Sequence, residues 1–165
     1  MCWKGGDVEY LIAKWLHILS STLLFGTGLG SAYYMLMTSL ASRRSGDARP
    51  VAVVVRYVVL ADWVFTTTTI VFQPLSGWYL MRIVGYPLET PWIVASFALY
   101  LLAGACWLPV VWMQLRMRDM AELAVARGEA LPSRYWVFLW RWAALGIPAF
   151  FALVAVFYLM VAKPA

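Results

Sequence analysis

The sequence is short of charge. Of 165 residues only 13% are Asp, Glu, Lys or Arg, about half the share of an ordinary soluble domain. Cysteine is nearly absent. Cys2 sits at the N-terminus and Cys106 inside an apolar run, which excludes a disulfide framework and any cysteine-based metal spacing. There is one histidine, His17. The serines have no other base to call on and no acid at its level, so a hydrolytic triad is excluded. No glycine-rich phosphate loop follows a strand, because no run alternates with a period of two. The opening "MCWKGGDVEY" lacks a basic leader region and no cleavage site closes a short apolar core, so no removable signal peptide is expected.

What is present is apolar surface. Hydrophobic residues make up 64% of the chain, with ten Trp, nine Tyr and eight Phe. Four runs carry it, at about residues 10–40, 51–84, 91–117 and 135–162. Each exceeds the roughly 20 residues that cross a bilayer as a helix. The expected fold class is therefore all-α: a polytopic membrane protein, a single four-transmembrane-helix bundle over residues 1–165. Its surroundings are a lipid bilayer. The net charge of +5 does not indicate nucleic acid, because the basic residues gather in short loops. Arg43, Arg44 and Arg49 lie in the first loop and Arg116, Arg118, Arg127 and Arg134 around the third. The middle loop has none, although Arg82 flanks it. By the positive-inside rule, loops one and three are cytoplasmic and both termini lie outside. Trp3, Trp78, Tyr86, Trp92 and Tyr135 stand near span ends as interface anchors.

Polar residues inside the spans are the informative ones. In "ADWVFTTTTIVFQPLSGWYL", a turn of about 100° per residue puts Asp62, Thr66, Thr69, Gln73 and Ser76 on one stripe. An Asp in a span costs at least a few kcal/mol unless it faces the bundle interior. The stripe is therefore expected to point inward. Pro74 frees the carbonyl of Ile70 and bends the helix.

Span one has two faces. His17, Ser20, Ser21, Gly28 and Ser31 form one, and Thr22, Gly26 and Gly30 form the other. The second has the small-xxx-small spacing of a helix packing seam. Span three aligns Ser96, Tyr100, Ala103, Trp107 and Gln114. Span four aligns Arg141, Leu145, Pro148, Ala152 and Ala155. At about 1.5 Å per residue, His17 and Gln73 each lie about 10 Å from the outer ends, with Tyr100 near that level. Asp62 and Arg141 lie deeper and at similar height. They are expected to pair, with Arg56 as the alternative partner. Such a pair either fixes helix register or belongs to a proton or ion path.

His17 has two readings. It is hydrogen-bonded to Gln73 or a neighbouring hydroxyl, or it is a ligand of haem iron. A bare copper or zinc ion lacks a second strong ligand at that level.

Five segments, "LHILSSTLLFGTGLGSAYYM", "VLADWVFTTTTIVFQPLSGWYL", "GYPLETPWI", "LLAGACWLPVVWMQLRMRDMA" and "FYLMVAKPA", resemble an uncharacterised family of predicted bacterial integral membrane proteins, a domain of unknown function. More distantly, "KWLHILSSTLLFGTGL" and "VAKP" are similar to the membrane protoporphyrinogen oxidase, and the first also to the copper-resistance D membrane proteins. The oxidase resemblance implies that His17 is an axial haem ligand. That family also has a functional lysine near the start of span three. Here "GYPLETPWIVAS" has none and places Ser96 or a neighbour there, which argues against protoporphyrinogen oxidation.

Three functions follow as expectations. The first is an inner-membrane redox protein carrying haem b. His17 is its ligand, Gln73 and Tyr100 shape the far side, and Ser20, Ser21 and Gly28 line the pocket. Its partner is quinone or a larger membrane redox complex. The second is a small-solute or ion transporter lined by the Asp62–Ser76 stripe, which needs a homo-oligomer to give a wide path. The third is a non-catalytic scaffold or assembly subunit. No catalytic residue is assigned.

Overall fold

The computed structural model describes residues 5–164; Cys2 and Trp3 lie outside the described residues. The architecture is a four-helix membrane bundle. Helix α1 is Gly5–Ser45, α2 is Arg49–Val84, α3 is Pro91–Arg127 and α4 is Ser133–Ala162. All four are long and apolar enough to cross a membrane. Short connections make each helix antiparallel to the next. One end of the bundle therefore holds both termini and the α2–α3 loop. The other, basic end holds the α1–α2 and α3–α4 loops.

The helix boundaries follow local chemistry. Pro50 and Pro91 stand in the first turns of α2 and α3, where a missing N–H costs nothing. Gly85 and Gly128 end α2 and α3 in the left-handed region, at φ 80° and 67°, a conformation in which a Cβ would be strained. Two helices outrun the expected spans. Helix α1 continues to Ser45. Helix α3 continues past Met117 to Arg127, because "RMRDMAELAVAR" is rich in strong helix formers. Met117, Ala121 and Ala124 of that extension are buried, so it is an amphipathic cap on the basic end.

The tightest packing is also at the basic end. Val51, Val55 and Val58 of α2 meet Met113 and Met117 of α3, Met35 of α1, and Tyr135, Leu139 and Trp142 of α4 in one core. Tyr135 is fully buried, and its hydroxyl shares a hydrogen bond of 2.7 Å with Ser39 of α1. Toward the other end the helices separate into pairs. The C-terminal half of α2 stays with α1, and α4 stays with α3, while α1 and α4 touch only lightly. A small cluster of Met81, Trp92 and Ile93, with Tyr86 and Leu159, closes that end.

The polar stripe of α2 faces inward throughout. Asp62, Thr66, Thr69, Gln73 and Ser76 are all buried, while Trp63, Val64 and Phe65 are exposed to lipid. The helix is π-wound over Asp62–Thr66, a wider turn that rotates each residue by less than the α-helical step and so shifts the azimuth of the residues after it.

Two faces differ from expectation. On α1 the seam Thr22, Gly26 and Gly30 is not used within the chain. Thr22 and Gly26 are exposed, and a methyl added at Gly26 or Gly30 would meet nothing within 4 Å. The buried face is instead Ser20, Leu24, Met35, Ser39 and Ser42. Serine is nearly as small as glycine and also supplies a hydroxyl, so one face provides both close approach and hydrogen bonding. On α4 the buried residues are Tyr135, Phe138, Leu139, Trp142 and Ala152, whereas Arg141 and Pro148 are exposed. The aromatic residues occupy the core, and Arg141 is turned out to where its head can reach water.

Candidate functional site

Where the helix pairs diverge, a cavity of about 610 Å³ opens near the termini end, within the range of small-molecule and cofactor sites. Its walls are mainly apolar and aromatic, with Trp92, Phe97 and Tyr100 from α3 and Phe157 from α4. His17 and Ser21 enter from α1, and Gln73 and Gly77 from α2. Two exposed lysines also border it. Lys14 lies over the Tyr10 ring at 5.5 Å, and Lys163 over Tyr86 and Trp92 at 5.5 and 5.8 Å.

The histidine is held by hydrogen-bond arithmetic. His17 Nδ1 is 2.7 Å from Ser76 Oγ. The Ser76 hydroxyl has a single hydrogen, and the Phe72 carbonyl takes it at 2.8 Å. A carbonyl can only accept, so both contacts are satisfied when Nδ1 is the donor. The imidazole then keeps its lone pair on Nε2, which makes no hydrogen bond among the described residues. A Cβ on Gly77 would lie 3.5 Å from His17 Cε1, an ordinary van der Waals contact, so the ring lies against α2 at this point.

Gln73 is 7% exposed. Its Nε2 donates to the His17 carbonyl at 3.3 Å, which fixes the amide's orientation because that carbonyl only accepts. Its Oε1 is buried with no partner. A buried acceptor without a donor is uncommon and points to a bound group or water.

Tyr100 has a different duty from the one expected. Its hydroxyl donates to the Ile70 carbonyl at 2.6 Å. That carbonyl lies four residues before Pro74 and has lost its helical donor. Tyr100 thus repairs the proline site, and its ring forms cavity wall. Ser21 lines the cavity too, but its hydroxyl donates to the Ile18 carbonyl of its own helix at 2.7 Å. Gly28 does not reach the cavity and is exposed. It shares the histidine's azimuth but lies about 16 Å further along the axis.

The expected Asp62–Arg141 pair does not form, and Arg56 is no substitute, being exposed. Among the described residues the ion pairs are Arg49–Asp47 and Arg118–Asp119, at 2.9 and 2.7 Å. Asp62 instead accepts the Thr66 hydroxyl at 2.8 Å on Oδ1. Arg141 lies about 100° round α4 from the buried Trp142, which is enough to turn it outward.

Sequence reasoning had placed Ser76 on the right stripe without matching it to His17. Lys163 and Trp92 carried weaker signals, one in the terminal "VAKP" and the other among interface aromatics. Nothing in the sequence singled out Gly77.

The family described as "Predicted integral membrane protein (DUF2269)" matches residues 11–164. The chain belongs to this family. The match takes in His17, Asp62, Gln73, Ser76 and Tyr100, and all four spans of this integral membrane protein. Similarity to the protoporphyrinogen oxidases or the copper-resistance D proteins is not shown by it. No curated protein and no solved structure matches the chain.

Proposed function

We propose that this protein is a b-type haem protein of the bacterial inner membrane, with His17 as an axial ligand. The observation that carries the reading is the state of His17. Its Nδ1 is tied to Ser76, its Nε2 has no hydrogen-bond partner among the described residues, and the residue lines a 610 Å³ apolar cavity. Metal-ligating histidines are oriented in this way, by donating the other ring N–H to a fixed acceptor. Haem brings four nitrogens of its own and needs only one or two ligands from the protein, which suits a chain with one histidine. The basic side chains of Lys14 and Lys163 border the cavity and suit the acidic groups of such a molecule. Bound there, haem would supply one-electron chemistry. The chain's part is to hold and orient it, and to exclude water with Trp92, Phe97 and Phe157. Gln73 Oε1 offers an acceptor to a water or ligand N–H inside the same space. The charge asymmetry of the loops favours the basic end in the cytoplasm and the termini outside. The electron partner is a quinone or a subunit of a larger membrane redox complex.

The transport reading has less support. The hydroxyl hydrogens of Thr66, Thr69 and Ser76 are taken by Asp62 Oδ1 and by carbonyls of their own helix, so the stripe offers a solute few free donors. No specific observation favours a scaffold role or a homo-oligomer.

The test is an absorption spectrum of protein purified from cells supplied with haem precursors, repeated after titration with haemin. A Soret band is expected in the native protein, lost or shifted in His17→Ala and perturbed in Ser76→Ala. Colourless protein that takes up no haemin, or a spectrum indifferent to His17→Ala, sinks the proposal.

A further inference from the structure

A second polar site lies away from the cavity beside His17, at the π-wound turn of α2. Asp62 is 6% exposed. Its backbone carbonyl receives both the N–H of Thr67 and, at 2.9 Å, the Thr67 hydroxyl. Its carboxylate Oδ1 receives the Thr66 hydroxyl, and the Gln114 amide lies within donating reach of the carboxylate. Beside it is a cavity of about 50 Å³, bordered by Asp62 and Thr67 of α2 and by Trp107 and Gln114 of α3. Room for a water needs about 10–15 Å³, so this space suffices. Two polar atoms at its border are buried without partners, Trp107 Nε1 and Gln114 Oε1. Gln114 is 3% exposed. Single π-turns within α-helices recur at functional positions, and a buried span carboxyl with no cation is a functional candidate by default.

The donor set decides what the cavity accepts. Trp107 Nε1–H can only donate. Gln114 Oε1 can only accept, and so can the ionised carboxylate. A water satisfies all three, accepting from the indole and donating to the amide oxygen and the carboxylate. A bare metal cation would face the indole hydrogen and would find only one carboxylate. No group of three or more His, Cys, Asp or Glu side chains stands ready for a metal among the described residues.

Among the described residues no salt bridge reaches Asp62. Arg56 on the same helix, Arg116 on α3, Arg141 on α4, and Tyr33 and Tyr34 on α1 are all exposed. Cys106 is half-buried next to Trp107 in the chain, about 100° round α3 from it.

We propose that Asp62, through a water seated between it, Gln114 and Trp107, is a proton-binding site within the bundle. A proton arriving on that water passes to Asp62 Oδ2, and the water is left neutral. The acid so formed keeps Thr66 on Oδ1 and turns its new O–H to the water. Release is the reverse, and no oxidant or metal takes part.

The experiment is infrared difference spectroscopy of the full chain in lipid, across a pH titration. The expected signal is a carboxylic-acid C=O stretch that appears as pH falls, shifts in deuterated water and is lost in Asp62→Asn. Asparagine keeps an acceptor for Thr66, so the turn is preserved. Gln114→Leu and Trp107→Phe leave the carboxyl in place and should shift the band. They keep the test decisive if Asp62→Asn fails to fold. The proposal is overturned if no acid band depends on Asp62, if the band ignores both neighbours, or if sodium ions abolish it at constant pH. The last outcome would make this a cation site.

Discussion

Replacing Tyr100 with phenylalanine removes one oxygen atom and leaves the ring in the cavity wall. That oxygen donates to the Ile70 carbonyl at 2.6 Å, the acceptor that Pro74 cannot serve. In water the loss would be partly repaid by solvent. In a bilayer it is repaid only by another protein donor, and leaving a buried group unpaired costs about 1–3 kcal/mol. Side-chain hydrogen bonds measured within membrane bundles average about 0.6 and reach about 1.7 kcal/mol. Ile70 is half-buried and the bond is short, so the upper part of that range applies, at about 1–1.5 kcal/mol. The control is Pro74→Ala, which restores an N–H able to reach the same carbonyl. In that background the tyrosine hydroxyl should contribute little. A double-mutant cycle, read by denaturant unfolding in mixed micelles, should therefore give a coupling of about 1 kcal/mol between positions 74 and 100. If Tyr100→Phe costs the same with and without Pro74, the hydroxyl is not compensating the proline, and the reasoning fails.

Two further outcomes are expected in the same unfolding assay. Ser39→Ala leaves the Tyr135 hydroxyl unpaired in the fully buried core and should cost about 1–2 kcal/mol; a change below a few tenths would mean that the α1–α4 bond carries no weight. Gly26→Leu adds a side chain to open space and should change stability by no more than about 0.5 kcal/mol. A large loss, or disappearance of an oligomer in lipid, would show that this α1 face is covered by another chain.

Much of the fold was legible because a bilayer leaves few options. Backbone groups in hydrocarbon must pair within their own segment, so long apolar runs have to be helices. The azimuth of the α2 stripe was legible for a related reason, since a buried Asp and Gln cannot face acyl chains. Ser96, Ala103 and Gln114 of α3 are buried on the same logic. The reasoning weakened where charge was involved. Asp62 and Arg141 were matched by depth and sign, but a long arginine side chain can reach water from a lipid-facing position and has no need of the interior. The small-residue face of α1 is not packed within the chain, and spacing alone cannot distinguish a seam within the chain from a face left open.

The sequence by itself determined that this is a membrane bundle of four helices, which residues are too polar for lipid, and that Pro74 strands a carbonyl. Those are properties of single helices in an apolar solvent. Only the tertiary structure decided the partners. His17 bonds Ser76, Asp62 bonds Thr66, and Tyr100 reaches Ile70. A hydrogen bond tolerates only tenths of an ångström, whereas helical periodicity places a side chain no more finely than its 100° step. The remaining precision comes from the bulky core at the basic end, where Met35, Met117, Tyr135 and Trp142 set how far apart the helices stand and so where the cavity opens.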